Sequence, residues 1–260
     1  MAERKAVLVV SFGTTYRETL EKNIAAIESA VAAAMPERVL RRAFTSGMVI
    51  VRLKKRDGLV VDTVAEALDK LEREGFTDVV VQPTHIMNGD EYDKLRAQAA
   101  PFAGRMRLRF GAPLLTALED YRALCQVLME ALPAPEAGEA LVFMGHGTGH
   151  FANAAYAKLD YMLRDLGWDA FVGTVEGYPT LEEVLHRLEE RPDLRRVRLY
   201  PLMIVAGDHA QNDMAGDGED SWKSRLERAG YGVRCHVAGL GELPGVRAMF
   251  AAHALAAAEV

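Results

Sequence analysis

Short, almost unbroken apolar runs alternate along this chain with longer stretches of helical spacing. The first run, Ala-Val-Leu-Val-Val-Ser-Phe at 6–12, has the continuous valine-rich character of a strand covered on both faces. Residues 42–47, 78–86 and 106–115 predict three more strands. Residues 23–35 have a helical composition, and the amphipathic stretch 63–76 stops at Gly75, a glycine placed as a helix terminator. A polar segment rich in Pro, Gly and Glu then occupies 131–140, and the pattern restarts. Strands are predicted at 140–145, 170–177, 197–207 and 231–239, with helical stretches between them. Strand–helix alternation predicts parallel sheets flanked by helices. The expected fold is therefore α/β, with two similar domains, residues 1–130 and 131–260, each built on a small parallel sheet and joined at the polar segment.

The two halves match at their strand ends, where parallel sheets bind ligands. Phe12-Gly13-Thr14 aligns with His146-Gly147-Thr148 at an offset of 134, and Ser46-Gly47-Met48 with Glu176-Gly177-Tyr178 at an offset of 130. Residues 82–91 align with 200–209 at an offset of 118, which sets Glu91 opposite His209. Three matches in one order point to an internal duplication.

The totals narrow the function. A net charge of −6 over 260 residues argues against a nucleic-acid partner, because a phosphate backbone selects basic patches. No apolar stretch nears the roughly 20 residues of a membrane span. The amino-terminal run is short and lacks a small-residue cleavage site, so it reads as a first buried strand rather than a leader. Cys125 and Cys235 show neither metal-ligand spacing nor a disulfide framework. There is no G-x-x-x-x-G-K-[ST] phosphate loop and no G-x-S-x-G elbow.

The duplication sharpens the chemistry. Where the first half has Phe12, Ser46 and Glu91, the second has His146, Glu176 and His209, separated by 30 and 33 positions. Neighbouring parallel strands bring their ends together, so two imidazoles and a carboxylate are expected in one space. That set suits a divalent transition metal and leaves coordination positions open. Nearby glycines let a flat partner approach the backbone. His150 reads as a group behind the metal ligands or as a plain loop residue. His85 is placed to look toward the site from the first half. Glu91 reads either as its helper or as a cap on the helix beginning at 91. His186, His236 and His253 are assigned no role.

The segments Val-Val-Ser-Phe-Gly-Thr (9–14), Arg-Ala-Phe-Thr-Ser-Gly-Met (42–48), Met-Asn-Gly-Asp-Glu-Tyr (87–92), Phe-Met-Gly-His-Gly (143–147), the Glu of Val-Glu-Gly-Tyr-Pro (175–179), the run 201–217 and Asp-Ser-Trp-Lys-Ser-Arg-Leu (220–226) resemble a known family. It is that of the class II, ATP-independent cobalt chelatases of anaerobic cobalamin biosynthesis, the sirohydrochlorin cobaltochelatases. The similarity runs from Val7 to about His253. The resemblance implies a ferrochelatase-like fold with an interdomain cleft, and insertion of Co2+ into sirohydrochlorin or its precorrin-2 precursor. Fe2+ insertion for sirohaem and a non-catalytic tetrapyrrole or metal carrier are the competing readings; a zinc hydrolase shares the ligand set but lacks an added carboxylate base.

The resemblance further implies that His146, Glu176 and His209 hold the metal and that His146 also takes pyrrole protons. It implies no ATP and no nucleotide cofactor, a cytoplasmic setting and a homo-oligomer. Substrate contacts are expected from Ser11, Phe12, Gly13, Thr14, Ser46, Gly47, Met48, His85 and Glu91. Arg52, Lys54, Lys55 and Arg56 would meet the substrate's carboxylates. An imidazole, with an ordinary pKa of about 6.5, is a competent proton acceptor near neutrality.

Overall fold

The structure, a computed structural model, describes residues 3–259. It divides into two compact units, one running to Thr116 and resuming at Pro244, the other Ala117–Leu243.

The first unit begins with β1 (Lys5–Ser11). After it come α1 (Arg17–Thr19) and α2 (Ala26–Ala34), joined by a π turn over Leu20–Ala25, then β2 (Val39–Phe44) and α3 (Gly47–Asp57). They are followed by α4 (Val64–Arg73), β3 (Asp78–Pro83), α5 (Asp90–Ala99) and β4 (Arg107–Phe110). The strands form one parallel sheet in the order β2-β1-β3-β4. β1 is central, and its Ala6–Val10 segment is fully buried, which explains the absence of polar alternation in its sequence. Its apolar residues pack with Val64, Leu68 and Leu71 of α4 and with Leu95 of α5. Thr63 and Glu66 cap α4 reciprocally, each side chain satisfying a backbone amide of the other.

The second unit repeats the plan. α6 (Leu118–Ala131) leads into β5 (Glu139–Gly145), α7 (Ala154–Asp165), β6 (Ala170–Thr174) and α8 (Leu181–Glu189). Then come β7 (Arg196–Pro201), α9 (Trp222–Arg228) and β8 (Gly232–Cys235). The sheet order is β6-β5-β7-β8, all parallel, the same permutation as in the first unit. α10 (Pro244–Leu255) returns to the first unit.

All eight expected strands are present, but several are shorter than the apolar runs that announced them. β3 and β7 end at Pro83 and Pro201, residues that cannot donate to a ladder. The expected division at 130/131 gives way to a different one. α6 belongs to the second unit, packing on α7 with the Lys158 ammonium 3.8 Å from the centroid of the Tyr121 ring. α10 packs on α2, and Arg247 donates to the Lys22 carbonyl at 3.2 Å. The polar segment 131–140 therefore lies inside the second unit. Arg198 holds it there, donating to the Pro133 and Ala134 carbonyls at 2.9 Å each and pairing with Glu139 at 3.0 Å. Its composition resembled a linker because a loop capped by a distant guanidinium needs no apolar residues of its own. Ser221 caps the start of α9, its hydroxyl accepting from the Ser224 amide at 3.1 Å.

Candidate active site

His146, Glu176 and His209 lie one, two and eight residues beyond the ends of β5, β6 and β7. Phe12, Ser46 and Glu91 lie one, two and eight residues beyond β1, β2 and β3. With the same strand order in both sheets, these are equivalent places in the two units. Because β5 is flanked by β6 and β7, His146 stands between the other two residues.

The loops that carry them are laced together. The sheet's pairing runs on past the strands: the Val175 amide donates to the Gly145 carbonyl at 3.1 Å and the Glu176 amide to the His146 carbonyl at 2.8 Å. Asn153 ties the same two loops. Its Oδ1 accepts from the Thr148 amide at 3.0 Å, and its Nδ2 donates to the Tyr178 carbonyl at 2.7 Å. Two glycines are demanded here. A side chain at Gly145 would run into the Tyr156 ring, and Gly147 has φ +82° with the Gly177 amide 2.5 Å from where a Cβ would stand. Tyr156 lies under the loop, with the His146 and Gly147 amides directed at its phenol oxygen; burial nevertheless pushes the phenol up to about 12. Tyr156 therefore stays protonated near neutrality and is a prop, not a base.

The imidazoles of His146 and His209 meet edge to face, with ring centroids 4.6 Å apart. Glu176 Oε2 lies 3.9 Å from His146 Nδ1. All three side chains are open to solvent, at 47% for His146, 59% for Glu176 and 36% for His209, so each can be reached by an arriving ion. His146 Nδ1 is 2.8 Å from the Gly147 carbonyl. A carbonyl only accepts, so Nδ1 carries the proton and Nε2 keeps its lone pair for a metal or a proton. Contacts run pairwise through His146; among the described residues no three His, Cys, Asp or Glu side chains close on a single point. His209 has a further partner that the sequence reading overlooked, Asp213, whose Oδ2 is 2.5 Å from its Nδ1. The signal was an acid four residues after a histidine in a helical turn.

His150 has a structural place, capping the turn at Phe151–Asn153 by accepting from the Ala152 amide at 3.1 Å. In the first unit several expected donors face inward. The Ser11 hydroxyl accepts from Thr84 at 2.8 Å, Thr14 accepts from the Tyr16 amide at 3.2 Å, and Ser46 caps α3 through the Val49 amide at 3.4 Å. Phe12 and Met48 are exposed, at 46% and 70%. Gly13, at φ +102°, has Phe44 and Val49 crowding the place of a side chain. α3 presents a shallow groove lined by Gly47, Met48, Val51, Arg52, Lys55 and Arg56, an apolar floor edged with cations. Arg56 is engaged by Asp57 at 2.7 Å, while Arg52 and Lys55 make no ion pair among the described residues.

Both His85 ring nitrogens are buried without a hydrogen-bond partner. Burial, with the Lys94 ammonium nearby, lowers its pKa to about 4, so the ring is neutral at physiological pH. Glu91 is not the cap of α5, a place held by Gly89; it sits in the first turn with its carboxylate 3.8 Å from Lys94. Both cysteines are free thiols.

The geometry agrees with what the chain resembles. It matches the cobalt chelatase (CbiK) family over residues 5–259. A sirohydrochlorin cobaltochelatase of Salmonella typhimurium is 49% identical over 251 residues, covering 96% of this chain and 95% of that one. The sirohydrochlorin cobaltochelatase CbiKC of Nitratidesulfovibrio vulgaris is 36% identical, covering 89% and 82%. Among solved structures, SirB from Bacillus subtilis with Fe3+ shares the fold at a TM-score of 0.67 and 15% identity, covering 96% of this chain and 94% of that one. CbiX, described as the terminal enzyme of sirohaem biosynthesis in denitrifying bacteria, does so at 0.59 and 19%, covering 98% and 100%. Two parallel sheets of one topology, a histidine pair and carboxylate on the strand ends of the second, and a match over nearly the whole length place this chain in the cobalt chelatase family.

Proposed function

We propose that the chain inserts Co2+ into sirohydrochlorin without ATP, using His146, Glu176 and His209 to deliver the ion. The edge-to-face pair of His146 and His209 carries this reading, since it sets two imidazoles beside a carboxylate on three adjacent strand ends. The 49% identity to an enzyme named for this reaction supports it.

Insertion exchanges one Co2+ for two pyrrole N–H protons. The ion must be held, then released to four nitrogens, so a loose and exposed donor set is better suited than a closed cage. Open, pairwise-arranged side chains meet that need. His146, with its Nε2 lone pair free and its Nδ1–H fixed on Gly147, has the right form to take a pyrrole proton once the ion moves off it. The first unit supplies groups for the tetrapyrrole: Phe12 to lie against a ring face, and Arg52, Lys55 and the floor of Met48 and Val51 to meet carboxylates at the macrocycle rim. His85, neutral, and Glu91, acidic, are assigned helper roles in guiding ions or carrying protons. Free thiols at Cys125 and Cys235 suit a reducing cytoplasm.

The test is anaerobic incubation with sirohydrochlorin and either Co2+ or Fe2+, following the absorbance of the macrocycle. Faster turnover with Co2+ is expected. A preference for Fe2+ would overturn the metal assignment, and binding with no metal-dependent change would make the protein a carrier.

A further inference from the structure

We infer that Asp213 is a positioning residue for metal delivery: by accepting the Nδ1 proton of His209 it fixes that imidazole's tautomer and rotation, so that Nε2 faces the incoming ion. The inference rests on the assignment of His209 as a metal donor.

Three observations carry it. First, the Asp213 carboxylate lies 2.5 Å from His209 Nδ1, a contact in which the imidazole nitrogen must donate because an ionised carboxylate only accepts. Nδ1 is thereby closed to metal, and Nε2 is left as the coordinating atom. Second, the backbone fixes the pair. His209 opens a π turn over Ala210–Met214, which sets residues 209 and 213 on one side of a single turn of chain. A second bond of the same spacing, from the Asn212 amide group to Asp208 at 2.9 Å, holds the turn on its flank. Third, the rotation matters. The His209 ring stands at 87° to that of His146 with centroids 4.6 Å apart, so a turn about its Cβ–Cγ bond would break the relation between the two donors. His146 is held in the same sense, by the Gly147 carbonyl on its own Nδ1 at 2.8 Å. The two imidazoles thus use one device with different acceptors, and only that of His209 carries charge. A carboxylate on the far nitrogen makes the ring a stronger donor as well as a fixed one.

Removing such a partner typically weakens metal binding by about 10- to 100-fold. The test uses the full chain and Co2+ alone, read by equilibrium titration, with tetrapyrrole affinity and melting temperature measured beside it. Asp213→Ala should weaken Co2+ binding by about that factor, leaving the other two readouts within error. Asp213→Asn, which keeps an oxygen acceptor, should recover much of the loss. In a His209→Ala background, Asp213→Ala should cost nothing further. In the Co2+-loaded protein, proton NMR should show an exchange-protected, paramagnetically shifted N–H from His209 that disappears in Asp213→Ala. Unchanged Co2+ affinity in Asp213→Ala would overturn the inference. So would additive losses in the double variant, or an Asn variant as impaired as Ala, since either would make the carboxylate an independent ligand. If His209→Ala itself binds Co2+ normally, it is the assignment of the metal site that fails.

Discussion

His146 and His209 come from the ends of different strands, yet their rings meet edge to face with centroids 4.6 Å apart. Two donors that share one ion should not lose affinity independently. His146→Ala and His209→Ala should each weaken Co2+ binding by at least about tenfold, roughly 1.4 kcal/mol. The double variant should be much less impaired than the sum of the two. The rings are part-exposed, so melting temperatures should barely move. Strict additivity in the titrations would mean that the two rings do not serve one ion.

The backbone at Gly147 is closely packed against the neighbouring loop. Gly147→Ala must accept φ +82° and a Cβ beside the Gly177 amide, whereas Gly149→Ala meets nothing within 4 Å. The first should cost at least about 1–2 kcal/mol, the penalty for a side chain in left-handed backbone, and should also weaken Co2+ binding. The second should be close to neutral. Thermal melts of the pair settle it: equal losses would show that crowding at Gly147 does not shape the loop.

On the first unit, Arg52→Ala with Lys55→Ala should raise the KM for the tetrapyrrole several-fold and leave Co2+ affinity untouched. Because the groove is open, that effect should shrink as salt rises. Phe12→Ala should act in the same direction with little salt dependence. A change in Co2+ affinity equal to that of His146→Ala would contradict this division of roles.

Stability should fall with acid in two stages. His85 has a folded pKa of about 4, below the ordinary value of 6.5, so the unfolded chain binds its proton first and stability declines as pH drops from about 6.5 toward 4. Asp78 acts lower. Burial opposes its charge, but hydrogen bonds from Arg38 and Arg109 outweigh that and hold its pKa below the usual carboxylate value. Its contribution is complete above the unfolded value of about 3.9 and is lost as pH falls through the lower folded one. Melting curves against pH should show the upper stage flattened in His85→Phe. Asp78→Ala should destabilise at neutral pH by about 3–5 kcal/mol, because the buried Arg38 loses its buried partner and keeps only the exposed Glu37 carboxylate at 3.4 Å.

The strands and their parallel arrangement were legible because a strand covered on both faces is written as an unbroken apolar run, as in Ala6–Val10. The equivalence of Phe12 with His146, of Ser46 with Glu176 and of Glu91 with His209 was also legible, and the sheets repeat it. The assignment of α6 and α10 to units was not, since an amphipathic helix records that it covers a sheet but not which one. Nor were the inward-turned hydroxyls of Ser11, Thr14 and Ser46: a hydroxyl at a strand end has the same letter whether it caps a helix or meets a ligand. Asp213 and Asn153 were overlooked for a related reason. They act on neighbours in the chain or on an adjacent loop, and their spacing acquires meaning only when the turn between them is known.

The most direct measurement is a single turnover from preloaded protein. The chain is charged with one equivalent of Co2+ and mixed anaerobically with sirohydrochlorin together with an excess of chelator that traps free metal. The account predicts that the cobalt spectrum of the macrocycle develops despite the trap, and that protein carrying His146→Ala yields none. If the trap abolishes product in the unaltered chain as well, the ring takes its metal from solution and the histidine pair does not deliver it.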